Sequence, residues 1–182
     1  FDDTIKAGDG LCIRKAVGTL VEEGPMRIRE LIGWGAEFDQ EGSRLAFTQE
    51  AAHSKRRVLH AQGDSTGHEI LRVLIDKVRA TQRATKIDFA FTTDLIIEKG
   101  RCTGAVVIQQ KQQKVLIITA RAVLLATGGA GRLYERTTNP PVATGDGMAM
   151  AWRAGAELMD LEFIQFHPTA LFRPGAPQFL LS

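Results

Sequence analysis

The sequence predicts an α/β fold, and three observations carry that prediction. An amphipathic run follows Thr66, a series of β-branched segments lies between Ile87 and Thr119, and a short apolar run from Ala122 to Ala126 ends in Thr127-Gly128-Gly129. The last is the pattern of a buried strand that delivers a glycine turn at its carboxyl end, where ligands of open α/β sheets bind.

Between Phe1 and Gly35, apolar residues recur at helical spacing in two segments separated by Gly24-Pro25. Proline is well placed to begin a helix, so two short helices are expected. From Ala36 to Gly63 the periodicity fades and polar and basic residues cluster. This predicts an irregular loop with short extended pieces, of a kind that often carries ligand contacts. After Thr66, residues Ile70, Leu71, Leu74, Ile75 and Val78 share one helical face, with Arg72, Asp76, Lys77 and Arg79 opposite. Ile87 to Phe91, Asp94 to Glu98, Cys102 to Gln109 and Lys114 to Thr119 follow, broken by Lys99-Gly100 and by Gln110 to Gln113. They predict an extended segment and then a small antiparallel meander. Thr144 to Ala156 reads as a helix, and Leu161 to Phe166 as a last strand leading into Pro168, Pro174 and Pro177.

With 182 residues and 44% hydrophobic content, the chain can build one domain with a real core. A net charge of +2 is far from that of a nucleic-acid binder. The run Lys55-Arg56-Arg57 reads as a solvated face or as the neighbour of an anionic ligand. Cys12 and Cys102 lack C-x-x-C spacing, so they suggest neither a disulfide framework nor a zinc site, but reduced thiols of a cytosolic protein. No apolar stretch is long enough for a membrane span, and no signal peptide is evident. The start at Phe1 and the end at Ser182, directly after Phe179-Leu180-Leu181, read as cut ends, so an internal fragment of a longer protein is expected.

Three constellations could carry chemistry. In Ala126-Thr127-Gly128-Gly129, missing β-carbons let the backbone approach a ligand closely, although an isolated run of this kind can equally be an ordinary glycine turn. In Thr144-Gly145-Asp146-Gly147, ahead of a helix, Asp146 can accept a hydrogen bond from a ligand hydroxyl or serve as a simple helix cap. In Gln165-Phe166-His167-Pro168-Thr169, His167 at a strand end offers a donor or a cation to a carboxylate, with a structural role as the alternative.

The order and close spacing of these motifs resemble the FAD-binding half of the succinate dehydrogenase and fumarate reductase flavoprotein superfamily. The resemblance implies the middle part of a Rossmann-like FAD-binding domain with an antiparallel meander over residues 1–160, and the start of a capping domain over 161–182. It further implies that Ala126, Thr127, Gly128 and Asp146 contact FAD, that His167 binds a dicarboxylate, and that the backbone of Thr92 to Asp94 lies by the adenine.

Within that superfamily, Thr48-Gln49-Glu50-Ala51-Ala52-His53-Ser54, then Arg56-Arg57-Val58-Leu59-His60-Ala61 and Asp64-Ser65-Thr66-Gly67, resemble the L-aspartate oxidases. Their corresponding stretches read T-x-E-G-G-H-S, R-R-V-L-H-A and D-A-T-G. A carboxylate at Glu50 would pair with the α-ammonium of aspartate, a group that succinate lacks. Without the resemblance, Glu50 would read as a solvated surface residue. Two departures from the pattern matter. Ala51-Ala52 replaces Gly-Gly, which strains the loop if those positions need positive φ. Ser182 replaces a threonine that contacts a substrate carboxylate, keeping the hydroxyl.

No G-x-G-x-x-G occurs in the sequence. The elements that hold the FAD pyrophosphate and the catalytic arginine are therefore expected outside Phe1 to Ser182, with no catalytic residue inside and no turnover by this chain alone. For the complete enzyme the resemblance implies oxidation of L-aspartate to iminoaspartate, with oxygen or fumarate as electron acceptor, as the first step toward quinolinate and NAD. Glu50, His167 and Ser182 would bind substrate, in a cytoplasmic protein with small dicarboxylate partners, a functional link to quinolinate synthase, and no metal, membrane or nucleic-acid partner. The nearest rival is a fumarate reductase or succinate dehydrogenase flavoprotein, and a rival of another class is a non-catalytic α/β binding module.

Overall fold

Helices α1 (Asp2–Ala7) and α2 (Arg14–Gly33) open the chain in a computed structural model that describes residues 1–63, 65–167, 169–171, 173 and 179–180. The interruption between them is not at Gly24-Pro25. Helix α2 runs through both residues, and the break falls between Gly8 and Ile13. An interior proline removes one amide donor and crowds the carbonyl four residues back, yet most of this long helix's ladder remains. The turn after α1 is instead set by close packing. Cys12 Sγ donates weakly to the Thr4 carbonyl at 3.5 Å, and a β-carbon on Gly8 would lie 2.1 Å from that sulfur, so a side chain at position 8 would displace Cys12.

The chain divides into two compact units, Phe1–Lys86 and Ile87–Ser182. In the first, α2 leads into a small hairpin of β1 (Gln40–Glu41) and β2 (Arg44–Leu45), an irregular loop, and α3 (Thr66–Thr81). The core is Ala36, Phe38, Ala61 and Val73, with Ile28, Leu31, Leu45 and Leu59 against it. Helix α3 forms as expected, but the stripe it buries is Glu69 and Val73, one turn apart, while Leu71, Leu74 and Val78 stay exposed. The reason lies in a polar network. Glu69 accepts the Glu37 amide at 2.8 Å and the Arg72 guanidinium at 2.6 and 2.8 Å, and Arg72 in turn donates to the Gly35 carbonyl at 2.8 Å. A carboxylate with three donors can be buried where an unpaired one cannot.

The second unit contains the meander, with β3 (Ala90–Glu98), β4 (Arg101–Gln109) and β5 (Lys114–Thr119) in that order and antiparallel throughout. Lys99 and Gly100 both have positive φ, 49° and 76°, the geometry of a two-residue hairpin turn that matches strand twist. Buried Gly104 lets β4 close on β5, since a β-carbon there would lie 2.2 Å from the Ile118 carbonyl oxygen. Helix α4 (Asp146–Arg153) is tied to the irregularity in β3 by Arg153, whose guanidinium donates to Asp94 Oδ1 at 2.9 Å and to the Thr93 carbonyl at 2.5 Å.

Two expected strands do not form. Residues 122–130 carry no strand, and Leu124 is 92% exposed. A buried strand needs ladder partners on its flanks, and every pairing among the described strands is antiparallel and lies elsewhere. Leu161 to Phe166 is also irregular, because local turns take its amides. Phe163 donates to the Asp160 carbonyl at 3.2 Å and Ile164 to the Glu162 carbonyl at 3.0 Å. A short pair, β6 (Ala170–Leu171) with β7 (Phe179–Leu180), follows instead. Among the described residues, no helix is long and apolar enough to cross a membrane.

Candidate functional site

The two glycine motifs of the second unit meet. The Gly145 amide donates to the Gly129 carbonyl at 3.2 Å, and Gly145, at φ 78°, is the residue from which α4 starts. Gly147 on the first turn of α4 is buried, and a β-carbon there would lie 1.8 Å from Thr127 Oγ1. Thr127 therefore rests on the helix backbone. Gly128, at φ 73°, turns the chain between these contacts. Asp146 makes no capping hydrogen bond; its half-buried carboxylate accepts the Thr144 hydroxyl at 2.5 Å. The simple helix-cap alternative for Asp146 is thus not what forms. Ala126, Thr127 and Gly128 are exposed beside this carboxylate-bearing turn. The arrangement offers bare backbone, a hydroxyl and an acceptor, and the start of α4 supplies unpaired amides that favour an anionic group.

An open cavity of about 1050 Å³ in the same unit is lined by Gly129, Gly145, Tyr134, Trp152 and His167 among others. Tyr134 and Phe166 pack edge to face at 5.0 Å, which fixes the segment leading to His167 beside the glycine turn. His167 Nδ1 lies 2.9 Å from the Thr169 carbonyl and 3.3 Å from the Thr169 amide. Nε2 is thereby the ring atom left to meet a ligand. His167 and the turns share this cavity, whereas Ala126, Thr127, Gly128 and Asp146 do not line it.

Glu50 belongs to the first unit. Thr48 and Val58 pair across the base of its loop, with amide to carbonyl distances of 2.9 and 3.1 Å. Inside it the His53 amide donates to the Glu50 carbonyl at 3.0 Å, and Gln49 Nε2 donates to the His53 carbonyl at 2.7 Å. Ala51 and Ala52 occupy the resulting turn without positive φ, so the replacement of Gly-Gly brings no left-handed strain. Asp3 of α1 clamps the far side, its Oδ2 accepting the Ser54 amide and hydroxyl at 2.8 and 2.9 Å and Arg57 at 2.7 Å. These donors hold the Asp3 carboxyl well below the usual carboxylate range, the Ser54 amide first among them. Of the basic run, Arg57 is thus committed to Asp3. Glu50 is exposed, with Oε1 3.4 Å from His60 Nε2. Sequence reasoning gave roles to neither His60 nor Asp3, because each acts on a residue well separated along the chain. Ser182 lies outside the described residues.

The model of the FAD binding domain family matches residues 1–182. The chain belongs to this family. Its cofactor is FAD, and the residues present fit it: a glycine turn without β-carbons, the Thr127 hydroxyl and the Asp146 carboxylate stand together where a polyhydroxyl chain can approach. The chain is 49% identical over 184 residues to an L-aspartate oxidase of Synechocystis sp., covering 100% of this chain and 33% of the relative. With an L-aspartate oxidase of Streptomyces coelicolor it shares 50% identity over 178 residues, 94% of this chain and 30% of the relative. Among solved structures, a mutant of E. coli quinol fumarate reductase is 32% identical with a TM-score of 0.93, covering 100% of this chain and 30% of that one. The chain therefore spans about a third of the length of the curated relatives it matches.

Proposed function

We propose that the protein of which this chain is a part oxidises L-aspartate to iminoaspartate with FAD, passing the electrons to oxygen or fumarate and supplying the route to quinolinate and NAD. The observation that supports this reading is Glu50, an exposed carboxylate on a loop clamped at both ends, in a chain 49 to 50% identical to L-aspartate oxidases. The fumarate reductase reading is the weaker, since the identity to that structure is 32% and succinate has no ammonium for Glu50 to meet.

In this reading residues 1–160 are the middle of a Rossmann-like FAD domain and 161–182 begin the cap. Bound FAD supplies the hydride acceptor. Asp146 accepts a hydroxyl of the cofactor's chain, while Ala126, Thr127 and Gly128 give it close backbone approach, and Thr92 to Asp94 lie by its adenine. Glu50 holds the α-ammonium, and His167 and Ser182 hold the carboxylates. Orientation of this kind converts binding contacts into rate.

Anaerobic mixing of the full-length, flavin-loaded protein with L-aspartate should bleach the flavin absorbance, and admitting oxygen should restore it with release of peroxide. Bleaching by succinate and not by L-aspartate would overturn the reading.

A further inference from the structure

We propose that His60 is the positioning residue for Glu50, fixing its carboxylate for the substrate ammonium; this rests on the reading of Glu50 given above. The Thr48 hydroxyl donates to the Val58 carbonyl at 3.4 Å, so its oxygen is the acceptor toward His60. His60 Nε2 lies 2.8 Å from that oxygen, and in the Nε2–H tautomer it donates there. The same Nε2–H stands 3.4 Å from Glu50 Oε1, a second and longer contact from one donor. Its base is held by backbone bonds: Thr48 and Val58 pair with each other, the Arg57 amide donates to the Thr48 carbonyl at 3.0 Å, and the His60 carbonyl accepts the Asp39 amide at 2.8 Å. A half-buried ring on a fixed backbone thus faces an exposed carboxylate that otherwise has several rotamers.

Holding Glu50 in one orientation lowers the ordering cost when an ammonium arrives. That cost falls on substrates with an amine and not on fumarate. His60 therefore contributes to specificity without touching the reacting atoms.

The test uses full-length, flavin-loaded enzyme with His60→Ala, His60→Gln and Glu50→Gln assayed side by side. His60→Ala should raise KM for L-aspartate roughly two- to fivefold, the worth of an exposed polar contact that orients a carboxylate, and leave KM for fumarate and flavin content unchanged. His60→Gln, whose side-chain NH2 has two protons and can donate both to Glu50 and to the Thr48 hydroxyl oxygen, should restore most of the affinity. Unchanged KM in His60→Ala, an equal rise for both substrates, or no rescue by glutamine would each overturn the role of His60. If Glu50→Gln itself spares L-aspartate, the reading of Glu50 fails and takes this proposal with it.

Discussion

Thr127 Oγ1 sits where the β-carbon of an alanine at position 147 would be, 1.8 Å away, and Thr127 Cβ is 2.7 Å from the same point. This contact joins the two glycine motifs into one turn. Gly147→Ala should push Thr127 and the Gly128 turn off the helix. Overpacking of this order costs about 1 to 3 kcal/mol, so FAD affinity in the full-length protein should fall roughly 5- to 150-fold. Fluorescence titration of apoprotein with FAD measures it, and an unchanged dissociation constant would show that the turn does not hold the cofactor.

Asp146 contributes a charge and not a cap. In the full-length protein Asp146→Ala should weaken FAD binding by about 1.5 to 3 kcal/mol, the worth of one hydrogen bond to a charged group. Flavin occupancy after extensive dialysis is the readout. Full retention would mean that the carboxylate serves Thr144 alone.

Glu69 makes the first unit acid-sensitive. Its carboxyl is held down from 4.5 to about 2, chiefly by the hydrogen bonds from Arg72 and next by the Glu37 amide. A depressed carboxyl stabilises the fold in full above its unfolded value and loses that contribution as pH falls through its folded one. Glu69→Gln should therefore lower the thermal midpoint by several degrees at pH 6, and the gap to the parent protein should close between about pH 4.5 and pH 2. A gap that is constant with pH would remove the ionic basis of this contact.

Local pattern carried much of this molecule. Helix α3, the Lys99-Gly100 hairpin and the three-stranded meander are written in nearest-neighbour periodicity and turn chemistry, so they can be read without knowing what packs on them. The two glycine motifs were also legible, although their contact through Thr127 and Gly147 was not. The misses share one cause. Whether Ala122 to Ala126 forms a strand depends on neighbours rather than on its own residues, and the same holds for Leu161 to Phe166. Asp3 with Arg57 and Arg153 with Asp94 are 54 and 59 positions apart, a pairing that periodicity does not encode. Pro25 read as a helix start because the rule is local, whereas the surrounding helix tolerates it.

In the proposed function Glu50 selects the amine of the substrate, and a comparison of two substrates on one variant decides whether it does. Glu50→Gln should be introduced into the full-length enzyme, and kcat/KM measured for L-aspartate oxidation and for fumarate reduction on one flavin-loaded preparation. Loss of a charge-assisted contact of about 1.5 to 3 kcal/mol predicts a fall of roughly 10- to 150-fold for L-aspartate. Fumarate, a dianion with no ammonium, should be spared or should bind more tightly. An equal loss of both activities would make Glu50 structural, and an unchanged L-aspartate activity would show that Glu50 does not meet the substrate amine.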